Sequence, residues 1–190
     1  MHREDFAMLD KDIVFLDNGA TTLKPKCVVD KMVEYYTKYT SNIHRGDYDA
    51  AIKTNQLYDD TRNVVAKFIN ASSEEVIFTS GTTMAINMVV FGFMEKYLKP
   101  GDEVLLTRSE HASNVLPWIK LSEKKGIVLK YMDLDEEYAL TVENVEKAIS
   151  NKTKVISPRH NKATDKSFCD AFCVIKKFYV HSITLLKASF

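Results

Sequence analysis

Cysteine is scarce in this chain, with three residues in 190, an odd number that makes no disulfide framework. A reducing, cytoplasmic setting is therefore the default expectation. Glycine and proline are also sparse, at six and four residues, and neither an internal repeat nor a low-complexity linker is present. An excess of one charge is missing as well: 26 basic residues balance 26 acidic ones, so no global field argues for nucleic acid or an anionic membrane. No stretch approaches the roughly 18 uninterrupted apolar residues of a membrane span. The opening MHREDFAMLDKD is charged and has no apolar core, so it does not read as a signal peptide.

What is present fits a soluble globular protein, with 45% hydrophobic and 27% charged residues over a length that suits one domain or one domain plus an attachment. DIVFLDNGATT, from Asp12, reads as a short strand broken at Asn18-Gly19. Val29, Met32, Val33 and Tyr36 then recur at helical spacing. TSNIHRGDYD is a polar loop, and Tyr48 to Phe68 is a long helical pattern with Ala51, Tyr58, Val65 and Phe68 on one side. Ser72 to Glu75 closes that helix and leads into EVIFTS, a strand. Thr82 to Leu98 reads as a buried helix carrying Ile86, Val89, Val90, Phe93 and Tyr97. After the Lys99–Asp102 turn come a strand (EVLLT), a helix from Val115 that tolerates Pro117 in its first turn, a strand (IVLKYMDLD), a helix with Thr141 as N-cap, and a strand (TKVIS). Strand and helix alternate through this middle region, which calls for an α/β fold with a mostly parallel sheet and helices on its faces. Ligands of such sheets sit where strands end and helices begin.

Three polar clusters answer to that rule or to loop chemistry. Ser80-Gly81-Thr82-Thr83 falls at a strand-to-helix junction, where a helix start offers unpaired N–H groups and the positive end of its dipole to an anion. Gly81 permits close backbone approach and the threonines add hydroxyls, though Ser or Thr as a plain helix cap satisfies the same residue types. The motif is neither a Walker A loop nor a dinucleotide fingerprint. His111, in RSEHASNVLPW beside Glu110 and Asn114, suits a general base, a flat stacking surface or a solvated loop residue. With no second His or Cys at ligand spacing, a metal is not expected there. His44, Arg45 and Gly46 form the third cluster, in which a guanidinium can grip a carboxylate at two points or simply face solvent.

Taken in order, VFLDNGATTLKP, NIHRGDY, EVIFTSGTTMAIN, KPGDEVLLTRSEHASNVLPW and TKVIS resemble the N-terminal part of the cysteine desulfurases. More narrowly, they resemble the group that includes selenocysteine lyases, within the class V aminotransferase family. The resemblance spans residues 14–157. It implies an incomplete large domain of a fold type I enzyme that uses pyridoxal 5′-phosphate, works as a homodimer and takes sulfur from L-cysteine or selenium from selenocysteine. Alanine is left, and a persulfide passes to a sulfur-acceptor protein for iron–sulfur cluster assembly or related sulfur metabolism. It further implies that Gly81, Thr82 and Thr83 hold the cofactor phosphate and that His111 stacks on the pyridine ring. His44 and Arg45 would lie at the active site near the dimer interface, and the segment with Ala20 would border the substrate pocket. Other class V enzymes (aminotransferases, epimerases, kynurenine hydrolases) are the alternative within the family. A non-catalytic remnant that binds a partner is the alternative outside it.

The family's Schiff-base lysine, pyridinium-pairing aspartate and nucleophilic cysteine are all expected beyond the position of Ser157. There the chain reads PRHNKATDKSFCDAFCVIKKFYVHSITLLKASF, which matches none of those motifs. Residues 157–190 also hold six basic residues against two acidic ones and no glutamate. The expectation is a domain over 1–157 followed by a divergent tail over 158–190, read as a shifted frame or as a strand or short helix over a sheet edge. No catalytic residue is identified, and neither covalent cofactor attachment nor turnover of cysteine is expected of these residues alone.

Overall fold

The structure, a computed structural model, describes residues 2–10, 12–18, 20–136 and 138–158, and the backbone of Asp170–Ile175 and Ile183–Leu186. Most of the divergent tail, residues 159–169, 176–182 and 187–190, lies outside the described residues. The chain divides into two compact units, one built on Met1–Val76 and one over Ile77–Ala188.

In the first unit, helix α1 (Lys26–Lys38) starts after Pro25, whose fixed φ of −65° suits a helix entry. Helix α2 (Asp49–Phe68) runs for 20 residues. Hydroxyls join the two: Ser41 Oγ donates to Thr54 Oγ1 at 2.7 Å, and Thr54 Oγ1 donates to the carbonyl of Tyr39, at the end of α1, at 2.9 Å. The stripe that α2 buries is Ala51, Thr54 and Ala66, whereas Phe68, expected on the inner side, is 71% exposed at the last turn. The apolar residues Val29, Met32, Val33 and Tyr36 of α1 keep their helical spacing but face outward. Residues 12–16 carry no regular strand and join no ladder among the described residues, so the first expected strand is not seen there. Its turn does form, with the N–H groups of Ala20 and Thr21 both donating to the carbonyl of Asp17 at 3.2 Å.

The second unit is built on strands β1 (Glu103–Thr107), β2 (Val128–Met132) and β3 (Thr153–Ile156), all parallel, with β1 central. The backbone segments β4 (Asp170–Ile175) and β5 (Ile183–Leu186) extend the sheet antiparallel from β3, in the order β2-β1-β3-β4-β5. Every residue of β1 is buried, as expected of a strand covered on both faces. Helix α3 is one continuous run made of Thr82–Asn87, a π-helical stretch Met88–Met94 and Glu95–Tyr97. Helix α4 (Ala112–Lys125) and helix α5 (Val142–Ala148) follow β1 and β2. Thr141 caps α5 as expected, its hydroxyl accepting from the N–H of Asn144 at 3.2 Å.

The core joins Ile86, Val90, Met94 and Leu98 to Val104, Leu106, Trp118, Leu121, Ile127 and Val155. Full burial of one such aliphatic side chain is worth about 1.5–3 kcal/mol. The π-helical stretch explains why α3 buries Met94 and Leu98 while Tyr97, expected inside, is 47% exposed. Residues 86, 90, 94 and 98 step by four, a spacing that drifts around an α-helix; a π turn holds more residues and brings the row back to one face.

The expected strand at EVIFTS is a second departure. Residues 76–79 carry no regular structure and join no ladder among the described residues, and Ile77 is 69% exposed. An extended segment becomes a strand only when a neighbour pairs with its backbone. Among the described residues, no helix is long and apolar enough to cross a membrane, and no cluster of His, Cys, Asp or Glu is arranged to hold a metal ion.

Candidate functional site

The start of α3 is open. Gly81 is its N-cap, no side chain caps it, and the first helical bond runs from the N–H of Ala85 to the carbonyl of Gly81 at 3.1 Å. The N–H groups of Thr82, Thr83 and Met84 therefore have no acceptor among the described residues, which is the orphan set that a helix start presents to an anion. Gly81 has φ of 158° and ψ of 175°, a backbone that side-chain-bearing residues rarely adopt. A Cβ built on it would meet no atom of the described residues within 4 Å, so none of them crowds the turn. Conformation rather than crowding is what requires glycine here.

The second part of the site lies where β1 hands over to α4. The helix begins at Ala112, three residues before the sequence pattern indicates, because His111 is its N-cap: Nδ1 accepts from the N–H of Ser113 at 3.1 Å. A ring nitrogen that accepts carries no proton, so in the neutral imidazole the proton sits on Nε2. The earlier start puts Pro117 in the second turn rather than the first, where its missing N–H leaves the carbonyl of Ser113 without a helical donor.

Beneath His111 runs a polar lock. Thr107 Oγ1 donates to Glu110 Oε1 at 2.6 Å, and Asn114 Nδ2 donates to Glu110 Oε2 and to the carbonyl of Ser157, each at 2.8 Å. Ser157 Oγ donates back to Asn114 Oδ1 at 2.9 Å. Asn114 and Ser157 are buried, as is Thr107, so the carboxyl ends of β1 and β3 and the start of α4 are held together by bonds shielded from water.

Two of the expected clusters meet. Thr83 Oγ1 donates to Ser113 Oγ at 2.9 Å, and Ser113 in turn binds His111, so Gly81, Thr82, Thr83 and His111 belong to one connected surface in the second unit. Ala20, His44 and Arg45 belong to the first unit and are exposed. There the His44 N–H donates to Asn55 Oδ1 at 2.7 Å, and its ring meets Tyr58 edge-on at 5.8 Å. Gly46 has φ of 90°, and a Cβ on it would come within 2.5 Å of Tyr48 Cε1, so the loop depends on that glycine.

Sequence reasoning missed Ser113, Thr107 and Ser157. A hydroxyl at helix position N2 and another at a strand end look like ordinary surface serines until their partners, 30 and 43 residues away, are seen.

Known proteins resemble the chain closely. The family model for aminotransferase class-V matches residues 14–165, past Ser157. The probable cysteine desulfurase of Ureaplasma parvum is 44% identical over 148 residues, covering 78% of this chain and 36% of the relative. That of Borreliella burgdorferi is 43% identical, covering 82% and 38%. The apo structure of a cysteine desulfurase from Thermococcus onnurineus has a TM-score of 0.78 at 36% identity, covering 85% of this chain and 40% of its own. The chain thus spans about two fifths of the length of these relatives. A structure of a C-DES mutant with glycine covalently linked to its PLP cofactor shares the fold, with a TM-score of 0.71 at 18% identity.

Proposed function

We propose, from the premise that the chain belongs to the aminotransferase class-V family, that it carries the cofactor-phosphate portion of a pyridoxal 5′-phosphate enzyme of the cysteine desulfurase group. The observation that carries this reading is the uncapped start of α3 at Gly81, linked through Thr83 and Ser113 to His111. The residues fit the group: orphan N–H groups and open space suit a phosphate, and an exposed imidazole on the neighbouring helix suits a flat ring.

When bound, pyridoxal 5′-phosphate supplies an electron sink for chemistry at an amino-acid α-carbon. The chain's own part is binding and orientation. The N–H groups of Thr82, Thr83 and Met84 would hold the phosphate, whose negative charge the dipole of α3 would favour. His111 offers its face and an Nε2–H donor, while its cap bond and the Glu110–Asn114–Ser157 lock keep the ring-bearing turn in place.

The substrate assigned is L-cysteine or selenocysteine, with alanine as product and the sulfur passed as a persulfide to an acceptor protein serving iron–sulfur assembly. A homodimer in the cytoplasm is the setting. His44 and Arg45 are assigned to the substrate side, since a guanidinium recognises a carboxylate by two parallel bonds, and Ala20 to the pocket border. Residues 1–190 contain no Ser-x-His-Lys motif, and their activity alone is proposed to be nil.

Two measurements test this. Calorimetry should show pyridoxine 5′-phosphate, which has no aldehyde to react with lysines at large, binding more tightly than pyridoxine; equal affinities overturn the phosphate reading. Incubating the purified chain with cysteine and pyridoxal 5′-phosphate should release no alanine, and measurable alanine would refute the proposed inactivity.

A further inference from the structure

The Thr83–Ser113 pair has a consequence in proton counting. Each hydroxyl has one proton to donate. When Thr83 Oγ1 donates to Ser113 Oγ, as found at 2.9 Å, one proton is spent inside the pair and the Ser113 proton remains for an outside acceptor. If the direction reverses, the proton left over is that of Thr83. In either arrangement the pair supplies one external donor, polarised by the bond behind it.

The pair sits at the second residue of α3, Thr83, next to the three orphan N–H groups and Gly81, and in the arrangement found its free proton is on Ser113 of α4. Ser113 is half-buried, its N–H is committed to His111, and its carbonyl faces Pro117, which has no N–H to give. Its hydroxyl is therefore the group through which α4 reaches the phosphate end of the site.

We propose that Ser113 is a phosphate-positioning residue, acting with Thr83 as a single hydroxyl donor unit that seats the cofactor phosphate and sets its distance from His111. This rests on the pyridoxal phosphate reading above and extends it to a residue on the other helix. Without the Ser113 hydroxyl, Thr83 loses the partner that orients it, and the tie between the anion site and the ring site is cut.

The test is calorimetric titration of the full 190-residue chain with pyridoxine 5′-phosphate, and with pyridoxine as the ring-only probe. Ser113→Ala keeps the N–H that caps on His111 and removes only the hydroxyl. It should weaken binding of the phosphate ester about tenfold, the effect of one hydrogen bond to a charged group. Pyridoxine affinity and the thermal unfolding midpoint should stay as in the parent chain. Ser113→Thr should restore binding. Because the hydroxyls act as one unit, Thr83→Ala with Ser113→Ala should cost little more than Thr83→Ala alone. If Thr82→Ala weakens the phosphate ester while Ser113→Ala does not, the Ser113 assignment is overturned and the α3 cradle stands. If the parent chain binds ester and alcohol equally, the cradle reading falls and takes this inference with it. If Ser113→Ala weakens both probes alike, the residue serves the fold and not the phosphate.

Discussion

Asn114 and Ser157 exchange two hydrogen bonds across 43 residues of chain, one from Asn114 Nδ2 to the Ser157 carbonyl at 2.8 Å and one from Ser157 Oγ to Asn114 Oδ1 at 2.9 Å. The pair closes the carboxyl end of the sheet where the candidate site lies. Asn114→Ala would leave the Ser157 carbonyl and hydroxyl, both buried, short of a donor and an acceptor, and would remove one donor from Glu110. The expected loss is about 2–4 kcal/mol by denaturant titration, since each buried unsatisfied group costs about 1–3 kcal/mol. A change within about 0.5 kcal/mol, the range of an ordinary surface substitution, would show that the lock contributes nothing.

The two special glycines should differ in kind. Gly81→Ala meets no neighbouring atom, so its cost is backbone strain alone, about 1–3 kcal/mol, together with weaker binding of pyridoxine 5′-phosphate. Gly46→Ala adds a contact at 2.5 Å with Tyr48 Cε1 to a φ of 90°. Tyr48→Ala should therefore recover part of the Gly46→Ala loss and none of the Gly81→Ala loss. Equal behaviour of the two glycines in that background would contradict the distinction.

Glu103, buried at the start of β1, should shape the acid limb of stability. Its carboxylate is held below the usual range first by the hydroxyl of Ser150 at 2.6 Å and also by Lys130 at 2.9 Å, with burial acting in the opposite direction. A depressed carboxyl stabilises the fold above its unfolded value of about 4.3, and that contribution disappears as pH falls through the lower folded value. Glu103→Gln should be less stable than the parent chain at neutral pH, with the gap narrowing below about pH 4. Denaturation midpoints measured from pH 3 to 7 would decide it, and a gap that does not change with pH would remove Glu103 from the account.

His111 should have separable roles as cap and as ring. Asparagine is a good N-cap, so His111→Asn should leave α4 stable, whereas His111→Ala should cost about 1 kcal/mol. Both should weaken pyridoxine binding, because both lose the imidazole face. In ¹⁵N spectra of the neutral parent chain, Nδ1 should report as the unprotonated nitrogen; a protonated Nδ1 would mean that the cap bond from Ser113 is absent.

Much of this was legible in the chain itself. EVLLT is short, wholly apolar between Glu103 and Thr107, and bounded by turns, and it forms the buried central strand. Thr141 announces its helix, and Gly81-Thr82-Thr83 and His111 announce the junctions that meet in the site. What misled was periodicity used as a proxy for burial. Met32 and Tyr36 keep perfect helical spacing and remain exposed, and Tyr97 lies outside because the π stretch shifts the row beneath it.

The order of apolar runs, turns and polar junctions by itself determined an α/β chain with helices after its strands and a glycine-led helix start at Gly81, because local period and turn chemistry act over a few residues. Only the tertiary structure decided that 76–79 joins no strand ladder among the described residues, that Asn114 finds Ser157, and that Ser113 joins Thr83 to His111. Each of those depends on backbone or hydroxyl partners far along the chain, and a hydrogen bond carries no mark in sequence until folding brings its two ends within reach.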